Sequence, residues 1–245
     1  MNSLYQKIVE DLKAHEDKEG AAIAKTFHKY DGYESYGMIT PDVRSILRQY
    51  KKEIQQLHCK DVFNLAMKFY TAHIEEQALA GNYVLQQKID CITHAQFDFL
   101  DKALDHFRSW SAVDDICVEG GKVLSVLLQK YPKEILSLLR KWNKSPNMWK
   151  RRASVVPFTR KNGESGIYTK EGLELCGNIV WSEEDLVRKA VGWALKDLMR
   201  GDKQKVLSYV KKLRKAGVPR IITSYAIRDL ERKKRKEILN IKEEI

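Results

Sequence analysis

The sequence has few of the residues that build metal sites and disulfide-stabilised folds. Its 245 residues include four cysteines, which lie tens of residues apart without a CxxC pair, and six scattered histidines. This spacing predicts neither a zinc site nor a disulfide framework. It is typical of proteins in a reducing compartment, so we expect a cytoplasmic location and no bound metal.

Nucleotide-binding motifs and long apolar runs are also missing. Neither GxGxxG nor GxxxxGK[ST] occurs, and the pair Gly120-Gly121 lies inside a helical pattern, so no nucleotide cofactor is expected. Residues 1–12 are amphipathic and lack the apolar core of a signal peptide. No later stretch reaches the roughly 18 apolar residues that cross a bilayer. The sequence therefore predicts a soluble protein with no cofactor and no membrane partner.

What the sequence does contain is helical periodicity. Only five prolines and 13 glycines interrupt the chain, and between them apolar residues recur three and four positions apart, whereas strand-like alternation is nowhere sustained. Capping residues or first-turn prolines indicate helix starts at Thr40-Pro41, Thr93 and Tyr131-Pro132. We predict an all-α fold of about a dozen helices.

An internal repeat organises these helices. Similar tripeptides centre on Ala78, Ala153, Ala190 and Ala226, with gaps of 75, 37 and 36 residues. The first gap is close to two periods, so further centres are expected near Pro41 and Asp115. A repeat of about 37 residues is typical of HEAT-like helix pairs that stack into a solenoid. We predict about six pairs, a concave groove and one domain over residues 1–245.

The repeat register places several polar residues on one helix face. The position before each centre holds, in chain order, Thr40, Gln77, Asp114, Arg152, Lys189 and Tyr225. Residues four positions away share that face, and these include Arg44, Trp110 and Trp193.

Positive charge in this register predicts an anionic partner. The chain carries 44 Lys and Arg against 33 Asp and Glu, a formal net charge of +11, which favours nucleic acid or an anionic surface. A row of cations suits a phosphate backbone, and we predict that it comprises Arg44, Arg152, Arg160, Lys189 and Lys196. The alternative is that these residues form solvated helix faces.

Asp114 is the carboxylate in this otherwise neutral or cationic row. A lone carboxylate weakens polyanion binding unless it faces something positive, and a developing sugar cation is such a target. The tryptophans Trp110 and Trp193 offer aromatic faces to the same cation. The alternative is that both tryptophans are core residues, and that Asp114 or Asp115 pairs with a neighbouring arginine.

Four segments resemble the AlkD-like DNA alkylation repair family. They are Gly37 to Arg44 (GMITPDVR), Ser109 to Asp114 (SWSAVD), Asn147 to Ala153 (NMWKRRA) and Arg188 to Leu195 (RKAVGWAL). The resemblance implies a monomeric glycosylase that hydrolyses the N-glycosidic bond of cationic N3- and N7-alkylpurines in double-stranded DNA without base flipping. It implies that Trp110 and Trp193 pack on the deoxyribose, that Asp114 stabilises the sugar cation and positions water, and that Arg152 holds the adjacent phosphate.

The resemblance is less clear at both ends of the chain. The N-terminal aromatic that covers the lesion in the family is matched only loosely, by Phe27 or Tyr30. The basic run from Glu231 to Lys236 is interpreted as the exposed face of a last helix rather than a nuclear-localisation patch.

Two other functions stay open: a structure-selective DNA-binding protein without excision activity, and a HEAT-type protein-interaction scaffold.

Overall fold

The computed structural model describes residues 2–28, 30, 32–118 and 120–243. Within these residues the regular structure is α-helical, with short 3₁₀ turns and one isolated bridge between Glu34 and Ile74 instead of a sheet. The predicted all-α fold class is confirmed. None of the described helices is both long and apolar enough to cross a bilayer.

The helices pack into two compact units, Met1–Val123 and Leu124–Ile245. The helices of the first unit are α1 (Asn2–Ala14), α2 (Lys18–His28), α3 (Thr40–Gln49), α4 (Lys51–Gln55), α5 (Cys59–Thr71), α6 (Glu75–Gln87), α7 (Phe97–Ala103) and α8 (Trp110–Cys117).

The second unit is likewise built from helices, the first of which starts at the boundary. They are α9 (Val123–Lys130), α10 (Pro132–Asn143), α11 (Met148–Ala153), α12 (Arg160–Glu164), α13 (Thr169–Ile179), α14 (Asp185–Gly201), α15 (Lys203–Lys215), α16 (Arg220–Ala226) and α17 (Arg232–Leu239).

The described residues hold 17 α-helices rather than about a dozen. The difference arises from helices of five to seven residues, namely α4, α7, α11, α12 and α16. A period of 3.6 residues is hard to recognise over less than two turns. The predicted starts are confirmed: α3 begins at Thr40-Pro41, α10 begins at Pro132, and a capping box at Thr93 opens the 3₁₀ turn that leads into α7.

All six repeat centres fall within helices. Residues 41, 78, 115, 153, 190 and 226 lie in α3, α6, α8, α11, α14 and α16 respectively. In the first unit α3 packs on α6 and α6 on α8, and in the second α11 packs on α14 and α14 on α16. The four central alanines are buried, so their small side chains let adjacent helices approach closely. A single domain over residues 1–245 stays a prediction.

Two expectations from the sequence are wrong. Cys59, at the start of α5, forms a disulfide with Cys91. The two cysteines are 32 residues apart, so no short sequence motif indicates that they pair. Packing of α5 and its neighbours brings the two Cα atoms to 5.3 Å, which suits a disulfide. The pair Gly120-Gly121 lies after the end of α8 and not within a helix.

Candidate functional site

Trp110 begins α8 and is partly open to solvent. Ser109 caps this helix, because its side-chain oxygen accepts a hydrogen bond from the amide of Ala112 at 3.2 Å, and the cap fixes the first turn. Trp110 is 37% exposed, while Asp114, four residues later, is 5% exposed. Because residues four apart share a helix face, Trp110 and Asp114 lie on the same side of α8.

The imidazole of His28, the last residue of α2, stacks on Trp110. The two ring centroids are 5.3 Å apart with 14° between the ring planes. Tyr33 stacks on the same imidazole at 4.0 Å and 8°. We call Tyr33, His28 and Trp110 the Trp110 stack. It holds one face of the indole against buried rings, because His28 and Tyr33 are both buried.

The carboxylate of Glu75, at the start of α6, lies against this stack. The hydroxyl of Tyr33 donates a hydrogen bond to it, and Nε2 of His28 is 3.6 Å away. Burial, with a smaller contribution from the charge of Glu76, raises the pKa of Glu75 to about 7, although hydrogen bonds from Tyr33 and Ser109 oppose the rise. Glu75 is therefore a largely buried carboxyl that changes charge near neutral pH.

Burial has the opposite consequence for His28, because it disfavours a cationic imidazole. It lowers the pKa of His28 to about 4. Among the described residues, Nδ1 of this imidazole has no hydrogen-bond partner. The ring on Trp110 is therefore neutral at physiological pH and acts as a flat stacking surface.

Arg44, a predicted DNA contact, is tied to Asp115. Its guanidinium donates to the Asp115 carboxylate at 2.5 Å, and the amide of Asn82 donates to the other carboxylate oxygen at 3.0 Å. Gly120 leaves room for this guanidinium, since a Cβ there would come within 2.1 Å of it. Desolvation raises the pKa of Asp115 even though Arg44 and Asn82 oppose the rise. The arginine pair that the sequence left open thus involves Asp115.

In the second unit, one face of α14 carries three of the predicted residues. Lys189 is exposed, Trp193 is 9% exposed, and Lys196 is buried next to Asp197 at 3.1 Å. Their spacing of four and three residues puts them on one side of the helix. The structure thus brings a cation, an indole and a paired lysine together on α14.

Arg160 joins this face from the start of α12. Its guanidinium lies over the Trp193 ring, 5.2 Å from the centroid, in a cation–π arrangement. Its backbone amide donates to the fully buried Asp197 at 2.9 Å. This hydrogen bond holds Arg160 in a left-handed conformation, at φ +53°, which non-glycine residues seldom adopt. Asp197 therefore fixes two of the predicted cations, Arg160 and Lys196.

Arg152 is anchored inside the second unit. It lies on α11, is 5% exposed, and its guanidinium donates to the backbone carbonyl of Leu186 in the first turn of α14. The neighbouring Arg151 instead forms an ion pair with Glu184. The two adjacent arginines thus fix α11 to the beginning of α14 through different acceptors.

The sequence matches the family of DNA alkylation repair enzymes over residues 8–230. The chain belongs to this family. A solved structure described as a predicted DNA alkylation repair enzyme from Enterococcus faecalis has the same fold, with a TM-score of 0.72, 16% sequence identity, and coverage of 89% of this chain and 97% of that one. No curated protein matches the chain. Family membership gives a role in DNA repair, with DNA as the substrate.

The candidate site contains residues that the sequence analysis did not single out. The N-terminal ring on Trp110 is that of His28, while the side chain of Phe27 is 74% exposed. Tyr33 and Glu75 were not anticipated. One signal was present: Glu75 lies two residues before Gln77, a position of the repeat register. Tyr33, which contacts Glu75, lies in the loop between α2 and α3. The sequence periodicity that predicts helices does not predict the path of a loop.

Replacing Glu75 with Gln is expected to change how stability depends on pH. A carboxyl whose folded pKa is raised stabilises the fold when protonated, and that stability is lost as pH rises from the unfolded value of 4.5 to about 7. Glutamine keeps an acceptor for Tyr33 but never ionises. The free energy of unfolding of the variant, relative to wild type, should therefore grow by on the order of 1 kcal/mol or more between pH 4.5 and 7.5.

Denaturant unfolding at intervals across this range checks the prediction. The control is Glu183→Gln, which removes an exposed carboxylate. A Glu75→Gln curve that runs parallel to the wild-type curve would show that Glu75 does not titrate in this window.

Proposed function

We propose that this protein is a DNA glycosylase that hydrolyses the N-glycosidic bond of cationic N3- and N7-alkylated purines in duplex DNA. The base is not flipped out of the helix. The observation that carries the proposal is the pairing on α8 of a half-exposed indole, Trp110, with the Asp114 carboxylate one turn later, in a chain of the alkylation repair family.

The chemistry needs no general acid. An alkylated ring nitrogen gives the purine a positive charge, so the electron pair of the bond between N9 and C1′ passes to the base and neutralises it. Positive charge then develops on C1′ and the ring oxygen of the deoxyribose. The Asp114 carboxylate stabilises this positive charge. The stabilisation is greatest near the transition state, where the charge on the sugar is largest. Water adds to C1′, and the proton that it loses passes to Asp114 or to solvent.

The tryptophans act on the same cation. An indole face carries negative electrostatic potential, so it attracts a positively charged sugar or base. Trp110 offers its ring from the first unit, held by His28. Trp193 is likewise proposed to offer its ring to a cationic nucleotide.

The predicted cations are proposed to bind phosphates. Several of them are positioned by a neighbouring carboxylate. Arg44 is 37% exposed beside Asp115, and Lys189 is exposed on α14. Arg160 and Lys196 are positioned by Asp197. Contacts of this kind fix the register of the duplex and carry no sequence information, which suits an enzyme that repairs lesions in any sequence.

The test is an excision assay with methylated duplex DNA. We expect free 7-methylguanine or 3-methyladenine to appear with wild-type protein and to be strongly reduced with Asp114→Asn. Binding that falls steeply with salt, without release of base, would replace the proposal by a structure-selective DNA-binding function. Absence of both would favour a protein-interaction scaffold. We further propose a cytoplasmic monomer, which sedimentation and fractionation would test.

Replacing Arg152 with Ala is expected to weaken duplex binding and to lower the salt dependence of the binding constant by about one phosphate contact. The measurement is duplex affinity at several salt concentrations. Arg151→Ala is the matched control, because it removes the adjacent arginine, which pairs with Glu184. An equal change of slope in both variants would assign the effect to general charge and remove Arg152 from the phosphate contacts.

A further inference from the structure

Charge is divided very unevenly along the chain. Residues 1–123 hold 15 Lys and Arg against 19 Asp and Glu, whereas residues 124–245 hold 29 against 14. The last 43 residues, 203–245, hold 14 against five. Most of the net positive charge of the protein therefore lies in a segment beyond Arg152, Lys189 and Trp193, and the proposed excision site uses none of it.

Helix α15 is rich in lysine and contains no acidic residue. It carries five lysines and one arginine within 13 residues. Val206, Val210 and Leu213 bury its apolar side, so most of the lysines point away from the core. Like charges three and four residues apart, such as those of Lys211 and Lys215, destabilise an isolated helix. A face that served only solubility would gain from acidic residues at some of these positions.

Helix α17 packs on α15 and extends this charge. The guanidinium of Arg214 donates to the carbonyl of Leu239 at 3.4 Å, which joins the two helices. Between the two helices, the carboxylate of Glu237 lies 3.8 Å from Lys211 and 4.0 Å from Lys234. Exposed ion pairs of this kind contribute little to stability. We call the exposed cations of these two helices the basic surface: Lys203, Lys205, Lys212, Lys215, Arg232, Lys233 and Lys236.

We propose that the basic surface binds the phosphate backbone of duplex DNA through residues other than those proposed for excision. Each cation that neutralises a phosphate releases condensed counterions, and this contribution to affinity does not depend on sequence. Such a contact would hold the protein on the undamaged DNA that separates one lesion from the next. It serves the search for a lesion and not the bond cleavage, so it does not depend on excision activity.

The chemistry of the basic surface favours nucleic acid over the other polyanions. A helix that inserts into a membrane surface needs exposed Trp, Phe or Leu beside its lysines, and protein interfaces centre on buried aromatic or apolar anchors. Among the described residues of α15, α16 and α17, no large apolar side chain is exposed. A surface of cations alone suits a partner that offers regularly spaced charge and no apolar pocket, as a duplex does.

The test removes four lysines of the basic surface in one variant, Lys205→Gln, Lys212→Gln, Lys233→Gln and Lys236→Gln. Glutamine preserves helix propensity. The control variant, Lys13→Gln, Lys51→Gln, Lys52→Gln and Lys60→Gln, removes the same charge from exposed positions of the first unit. Both variants are titrated at several salt concentrations with an undamaged duplex of about 30 base pairs, and with vesicles that contain phosphatidylserine.

We expect the first variant to bind the duplex roughly 10- to 100-fold more weakly at low salt, with a slope against salt reduced by about two to four. The control should stay near wild type, and neither protein should bind vesicles appreciably. Equal duplex affinity in the two variants would overturn the proposal. So would a loss confined to vesicles, which would assign the surface to membranes.

Excision separates this proposal from the proposed function. Single-turnover release of 7-methylguanine at saturating protein should be unchanged in the first variant, because the lysines act on binding alone. If wild-type protein releases no base but the four lysines still govern duplex affinity, the glycosylase proposal fails and the basic surface stands. If release occurs and duplex affinity is insensitive to the lysines, the reverse holds.

Discussion

Asp114→Asn is expected to slow the single-turnover release of 7-methylguanine by roughly 10- to 1000-fold, while fold and duplex affinity stay close to wild type. Asparagine has nearly the shape of aspartate, so α8 and the packing of Trp110 should persist. What is lost is the negative charge that opposes the sugar cation near the transition state. Binding of the ground state should tighten slightly, because an anion beside phosphates has been removed.

The adjacent carboxylate provides the control. Asp115 is buried and bonded to Arg44 and Asn82, so Asp115→Asn should lower the free energy of unfolding by about 1–3 kcal/mol and leave release per folded molecule near normal. Thermal unfolding, duplex affinity and release are measured on the same preparations. Normal release by Asp114→Asn together with lowered stability would return Asp114 to a structural role.

The contrast between these two aspartates shows what the sequence can resolve. Periodicity places both on one helix, but it cannot say which one meets an arginine, since Arg44 comes from a helix some 70 residues earlier. Register indicated Asp114 as the member of the shared face, and the structure places Asp115 against Arg44. The prediction of Arg44 as a phosphate contact depended on that register alone, whereas its bond to Asp115 shows a structural role.

Helices and their centres were predictable because their signals are local. Apolar spacing and the first-turn prolines Pro41 and Pro132 located α3 and α10, and small alanines marked where helices pack. Contacts through loops were not predictable. The disulfide between Cys59 and Cys91 and the approach of His28 to Trp110 both depend on how separate segments fold back. The pKa of Glu75 is raised mainly by burial, which also depends on how these segments fold back.

The two tryptophans are expected to respond differently to replacement by alanine. Trp193 is 9% exposed and lies beneath the Arg160 guanidinium, so Trp193→Ala should lower the free energy of unfolding by about 3–5 kcal/mol. Trp110 is four times as exposed. Trp110→Ala should therefore lower stability by only about 1 kcal/mol through loss of its stacking on His28, but should slow release roughly tenfold or more because a cation-binding face is lost.

Denaturant unfolding and single-turnover release on both variants separate packing from catalysis. Trp193→Phe serves as the conservative variant, since a phenyl ring keeps an aromatic face for Arg160 and fills much of the same volume. If Trp193 contributes an aromatic face to the sugar cation, Trp193→Phe should regain stability and a large part of the release rate together. If Trp193→Phe regains stability but releases base as slowly as Trp193→Ala, catalysis needs the larger indole face. A Trp110→Ala protein with wild-type release would remove Trp110 from the active site and leave its exposure without a catalytic explanation.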